Sequence, residues 1–164
     1  KDIIKNNNLN SGMEIGFHAG HSAEIILEDS NINLISFDIC KYDYTLIARD
    51  FIKKKYNSRH KLISGDSLYT IPQFIELHPN IKFDFIIIDG GHDYSIVKAD
   101  LMNCKKLAHN KTIVIMDDVV SNGGNEYNQG PTEVWLEAIK DNIICKINSK
   151  NFNSGRGMGW GRYI

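Results

Sequence analysis

Six carboxylates stand where a reaction could use them. Glu14, Asp38, Asp66, Asp89 and the adjacent pair Asp117 and Asp118 each close, or nearly close, a short apolar run. Carboxylates accept hydrogen bonds from hydroxyl and amino groups and ligate hard divalent cations. His92 follows Asp89 by three residues, and imidazole titrates near neutral pH, as a base for a hydroxyl must. A second chemical feature is Met13-Glu14-Ile15-Gly16-Phe17-His18-Ala19-Gly20-His21-Ser22. It reads as the end of a buried strand, a glycine-bearing turn and the start of a helix. Glycine lets a ligand come close to bare backbone, and a helix N-terminus aims amide donors at whatever binds there. Taken singly, an Asp after a strand is equally a turn-former or a helix cap. Five successive strand ends closed in this way argue for one shared edge.

The elements that must position these groups follow from apolar periodicity. Strands are expected at 13–15, 34–38, 61–64, 83–89, 112–117, 143–147 and 158–164, and helices at 23–28, 42–56, 70–77, 94–107 and 132–139. Residues 1–8 suit the tail of a further helix, 29–31 a turn, and 121–129, rich in Asn and Gly, a long loop. Pro72 is placed in the first turn of its helix, where proline is tolerated. The run Phe85-Ile86-Ile87-Ile88 implies a strand buried on both faces. Strands alternating with helices, the buried ones continuously apolar, give an α/β fold with a mainly parallel, doubly wound sheet. In such a sheet ligands bind outside the carboxyl ends of the strands, at the switch point. That is the edge where the acids cluster.

Composition narrows the classes. The 164 residues carry a net charge of −1, with 42% hydrophobic and 24% charged residues. One domain spanning 1–164 is expected, and nothing favours a nucleic acid or a membrane surface as partner. The basic runs Lys53-Lys54-Lys55 and Lys105-Lys106 read as solvated helix faces. Cys40, Cys104 and Cys145 are odd in number and lack a C-x-x-C spacing, which fits reduced thiols and a cytoplasmic location. No apolar run approaches the roughly 20 residues of a membrane helix.

The turn argues against a pyrophosphate. A dinucleotide fingerprint wants G-x-G-x-x-G, whereas Glu14 stands where the first glycine should be. An acid there suits a cationic ligand bearing an amino group, such as S-adenosylmethionine. The pattern E-x-G-x-x-x-G-x-S over Glu14, Gly16, Gly20 and Ser22 resembles motif I of class I S-adenosylmethionine-dependent methyltransferases. It is especially similar to that of the metal-dependent O-methyltransferases, the catechol and caffeoyl-CoA types and their relatives acting on macrolide sugars. Gly65-Asp66-Ser67, Ile88-Asp89-Gly90-Gly91-His92, Ile115-Met116-Asp117-Asp118 and Gly157-Met158-Gly159-Trp160-Gly161 resemble that family's later strand-end segments in the same order.

The resemblance implies a Rossmann-like methyltransferase sheet of order 3-2-1-4-5-7-6 with an antiparallel last strand. It also implies roles. The cofactor would contact Glu14, Gly16, Phe17, His18, Gly20, Ser22, Asp38 (ribose hydroxyls), Asp66 and Ser67 (adenine) and Asp89. Mg²⁺ would be held by Asp89, Asp117 and Asp118, and His92 would be the general base. Two alternatives stay open: Asp117 or Asp118 merely caps the following loop, and His92 hydrogen-bonds the loop or is a fourth metal ligand. His21, His60, His78 and His109 are assigned no chemistry, the last three falling in expected turns. Residues 119–130 are expected over the metal, with Trp135 behind the acceptor pocket. The acceptor would be a small-molecule hydroxyl on a sugar, catechol or polyketide-like compound. Only about a dozen residues precede the first strand, so the pocket would be closed by a preceding segment or by a partner subunit, for example in a homo-oligomer. The competing classes are a metal-dependent hydrolase, a nucleotide-dependent oxidoreductase and a non-catalytic methyltransferase-like binding module.

Overall fold

The computed structural model describes residues 9–28, 31–120, 125–152 and 155–164. Seven strands form one sheet: β1 (Ser11–Ile15), β2 (Asn33–Asp38), β3 (His60–Ser64), β4 (Phe83–Ile88), β5 (Ala108–Asp117), β6 (Ile144–Asn151) and β7 (Gly157–Tyr163). Their order is β3-β2-β1-β4-β5-β7-β6. The first five strands are mutually parallel, and β7 runs antiparallel to both β5 and β6. The switch point therefore lies between β1 and β4. The helices are α1 (His21–Glu28), α2 (Asp43–Tyr56), α3 (Ser67–Leu77), α4 (Tyr94–Lys105) and α5 (Glu126–Lys140).

Strand alternation divides the core in two. Met13, Ile15, Ile86, Ile88, Val114 and Met116 face α3, α4 and α5, whereas Leu34, Phe85, Ile113 and Ile115 pack in a cluster with Ile26 and Leu27 of α1 and Ile52 of α2. On β4 the two sets interleave residue by residue, the period of two that a strand buried on both faces requires. Among the described residues no helix is long and apolar enough to cross a membrane.

Several boundaries differ from the sequence reading. The expected helical tail at 1–8 and part of the expected turn at 29–31 lie outside the described residues. So does the first half of the loop expected at 121–129; its second half is the start of α5. There Asn125 accepts from the amides of Tyr127 and Asn128, and the Asn128 side chain accepts in return from the Asn125 amide. That reciprocal cap normally ends in Glu or Gln, so an Asn at both ends read as loop. Likewise α3 starts three residues early, because Asp66 caps it through the Leu68 amide. Pro72 is consequently inside the helix and not in its first turn. His60 and His109 are strand residues, not turn residues. His109 meets Asp84 at 3.1 Å.

Candidate active site

The carboxyl ends of β1, β2, β3, β4 and β5 surround one cleft of about 890 Å³. Its floor is the β1–α1 turn. Gly16 has φ +96°, and a Cβ there would lie 1.8 Å from the Asp89 carbonyl oxygen. The glycine is thus required by the neighbouring strand end, which docks onto the turn, as well as by any ligand. The amides of Gly16 and Asp89 complete the join, donating to Phe37 O and Ile15 O. His18 adopts φ +50°, and its amide donates to Asp38 Oδ2 at 2.8 Å. Asp38 Oδ1 accepts from the Cys40 amide at 2.6 Å. Oδ2 of Asp38 therefore locks the turn to the end of β2, Oδ1 holds the segment that follows β2, and the residue lines the cleft.

Glu14 is placed otherwise than its role as a direct partner for a cationic group requires. It is 1% exposed and lies behind the cleft wall. Its two oxygens accept from Ser22 Oγ at 2.6 Å and Ser36 Oγ at 2.7 Å. Ser36 Oγ in turn lies 2.8 Å from Nε2 of His60, which is buried and stacked on Phe17. A hydroxyl has one proton; with that proton on ionised Glu14, His60 Nε2–H is the donor to Ser36. Alternation along β1 puts Met13 and Ile15 on one face and Glu14 on the other, against Ser22 and Ser36. Burial pushes its carboxyl up to about 7 against two hydroxyl donors, and burial brings His60 down to about 4.

At the other end of the cleft the acids of β4 and β5 converge. One ligand atom each from Asp89, His92 and Asp118 lie within 4.8 Å of one another. The sequence reading grouped Asp89 with Asp117 and Asp118 instead. Asp118 has φ +56°, which turns its side chain back inward, 1% exposed, while Asp117 Oδ2 faces Arg156 Nη2 at 3.7 Å. Withheld solvent, with Asp117 and Asp118 alongside, pushes the Asp89 carboxyl up to about 8. Desolvation and Asp118 likewise raise that of Asp117. Asp118 Oδ2 is buried with no hydrogen-bond partner and stands 3.6 Å from His92 Nδ1. A buried, unpartnered carboxylate oxygen beside further acids is costly unless a cation completes it. Carboxylate and imidazole donors at this spacing fit a divalent ion.

His92 is oriented by a device that the sequence reading missed. Its Nδ1 lies 2.8 Å from the carbonyl oxygen of Tyr127. A carbonyl can only accept, so Nδ1 carries the proton and the lone pair of the neutral ring is on Nε2. That carbonyl is free because its usual partner in α5 is the amide of residue 131, and residue 131 is a proline. Gly130 lets the helix approach this closely: a Cβ there would meet His92 O at 2.0 Å. Tyr127 also lays its ring on His92, centroids 3.7 Å apart. The signal was present in the sequence as Gly130-Pro131, but it names a partner only once α5 is known to start at Glu126.

Of the remaining expected cofactor residues, Phe17, Ser22, Asp66 and Ser67 line the cleft, and Gly20 lies beside Phe17 just behind it. Trp135 does not line it. It is 1% exposed in the core, against Gly159, where a Cβ would come within 2.6 Å of the indole.

Residues 13–119 match the family model described as "Methyltransferase domain". No curated protein sequence matches the chain. Solved structures do resemble it. An O-methyltransferase from Bacillus cereus in complex with SAH aligns with TM-score 0.79 and 20% identity, covering 98% of this chain and 77% of that one. TomG from Streptomyces achromogenes, an O-methyltransferase involved in tomaymycin synthesis and solved with SAM, gives 0.78 and 14% over 98% and 76%. The N-methyltransferase NodS from Bradyrhizobium japonicum WM9 gives 0.69 and 12% over 98% and 89%. By its family match and its sheet order, the chain belongs to the methyltransferase-domain family and has the fold of class I S-adenosylmethionine-dependent methyltransferases.

Proposed function

We propose that the protein is an S-adenosylmethionine-dependent O-methyltransferase, assisted by a divalent cation such as Mg²⁺ and acting on a hydroxyl of a small molecule. The observation that carries this reading is the convergence of Asp89, His92 and Asp118 at one end of the cleft whose floor is the β1–α1 turn, with Asp38 lining it as well. A fold shared by O- and N-methyltransferases does not choose between acceptors; an acid cluster with an oriented imidazole favours a hydroxyl, which must lose a proton. The turn and Asp38 would hold the ribose and methionine parts of the cofactor, and Asp66 and Ser67 would border the adenine. Asp89 and Asp118 would hold the ion, with Asp117 beside them. When bound, the cofactor supplies an electrophilic methyl group and the cation a Lewis acid that lowers the pKa of an acceptor hydroxyl.

The chain's own residues do the rest. Tyr127 O keeps the proton of His92 on Nδ1, so Nε2 is the atom able to take the acceptor's hydroxyl proton. The Gly16 amide donates to Phe37 O and the Asp89 amide to Ile15 O, so the β1–α1 turn and the acid end are each tied by backbone to a neighbouring strand. Alignment of this kind contributes effective molarities of about 10⁵–10⁸ M.

The test is calorimetric binding of S-adenosylhomocysteine, followed by methyl transfer to a panel of sugar, catechol and polyketide hydroxyls with and without EDTA. Micromolar binding and EDTA-sensitive transfer are expected. Absence of S-adenosylhomocysteine binding sinks the reading at its base. Transfer that is indifferent to EDTA removes the cation and leaves the methyltransferase. Transfer to amines in preference to hydroxyls removes the acceptor assignment.

A further inference from the structure

The acid end of the cleft already contains a cation. Arg156 directly precedes β7, and its backbone is tied down there: its carbonyl accepts from the Phe152 amide at 2.7 Å. Its Nε donates to Asp118 Oδ1 at 3.2 Å, and its Nη2 stands 3.7 Å from Asp117 Oδ2. One guanidinium thus spans the pair of acids after β5, using two edges of its planar fork. Asp118 is 1% exposed, whereas the arginine side chain is 55% exposed. The carboxylate is fixed in the protein, and its counter-ion reaches in from solvent on a flexible stem. The opposite oxygen of the same carboxylate, Asp118 Oδ2, has no hydrogen-bond partner and stands 3.6 Å from His92 Nδ1.

We propose that Arg156 is a tethered competitor for the cation site: it neutralises Asp117 and Asp118 when no metal is bound, and a divalent ion must take those oxygens from it. The proposal rests on the cation-assisted reading above. Three carboxylates at one strand edge repel one another, and a single guanidinium offsets part of that repulsion in the metal-free protein. A divalent ion brings twice the charge to the same oxygens. Its affinity is then set by the difference between its own attraction and the ion pairs it displaces, so that Arg156 determines how much free metal loads the site. The guanidinium, being half exposed, returns to water at little cost once displaced.

The experiment titrates Mn²⁺, and separately Mg²⁺, into wild type, Arg156→Ala and Arg156→Gln, following Mn²⁺ by electron paramagnetic resonance and heat, with thermal melts of metal-free and metal-saturated protein. Loss of the arginine is expected to tighten Mn²⁺ binding by roughly tenfold, the scale of a charge-assisted pair discounted for exposure. The metal-free variants should melt about 2–4 °C below wild type, and the metal-saturated ones together with it. The Gln variant keeps the hydrogen-bonding stem without the charge and guards against a merely structural effect of truncation. A wild type that takes no Mn²⁺ beside variants that do supports the proposal in its strongest form. Equal affinities in all three proteins overturn the proposal and leave the cation-assisted reading standing. No binding by any of them overturns both. Tighter binding with no loss of metal-free stability overturns the displacement, because the charge would then act from a distance without being a partner of the acids.

Discussion

The relay behind the β1–α1 turn sets up opposed pH dependences. Glu14 is pushed up from 4.5 to about 7, chiefly by burial, and His60 is brought down from 6.5 to about 4. Between about pH 4.5 and 7 the unfolded chain has released the Glu14 proton while the folded one keeps it, so stability falls as pH rises through that window. Between about pH 6.5 and 4 the unfolded chain has taken a proton on His60 while the folded one refuses it, so stability falls as pH drops. At about 1.4 kcal/mol for each tenfold change in proton affinity, each effect is worth about 3 kcal/mol. Over the shared window, about pH 4.5 to 6.5, they cancel. Substituting either partner exposes the other. Relative to wild type, Glu14→Gln should gain about 3 kcal/mol between about pH 4.5 and 7.5, and His60→Gln should gain most of about 3 kcal/mol in the opposite direction, as pH falls from about 6.5 to 4.5. Urea unfolding of the three proteins at several pH values measures this. Taking differences from wild type removes every other titrating group, and loss of the His60 stack on Phe17 only displaces its curve by a constant. Parallel curves for wild type and both variants would refute the reasoning, since they would mean that neither buried group carries a shifted proton equilibrium.

Three other outcomes follow from single contacts. Pro131→Ala restores an amide able to claim the Tyr127 carbonyl, so ¹⁵N shifts of His92 should move from one tautomer toward a mixture while the melting temperature holds or rises. Asp38→Ala removes the acceptor of the His18 and Cys40 amides; S-adenosylhomocysteine affinity measured by calorimetry should fall by about tenfold or more, the scale of a hydrogen bond to a charged group. Trp135→Ala empties a fully enclosed site beside Gly159 and should cost about 3–5 kcal/mol in urea unfolding without changing the residues that line the cleft.

Much of this was determined by the sequence alone. Continuous apolar runs such as Phe85-Ile86-Ile87-Ile88 can only be satisfied by burial on both faces, and this dictates a parallel sheet with helices on each side. Strand ends marked by Glu14, Asp38, Asp66, Asp89 and Asp117 then have to lie along one edge, because parallel strands point the same way. The resemblance of the ordered segments supplied the strand order. Local signals failed where the partner is distant. Asn125 caps a helix only in reciprocity with Asn128, and His60 reads as a turn residue until β3 places it against Ser36.

Only the tertiary structure decided where each acid points. Alternation along β1 sends Glu14 away from the cleft and into a hydroxyl relay. A left-handed backbone at Asp118 turns its carboxylate inward to Asp89 and His92, while Arg156 reaches both it and Asp117. Pro131 is a helix-breaker by composition, yet in place it frees the one carbonyl that orients His92. Side-chain direction depends on backbone dihedrals and on neighbours far away in the chain, and the spacing of residues in a sequence carries neither.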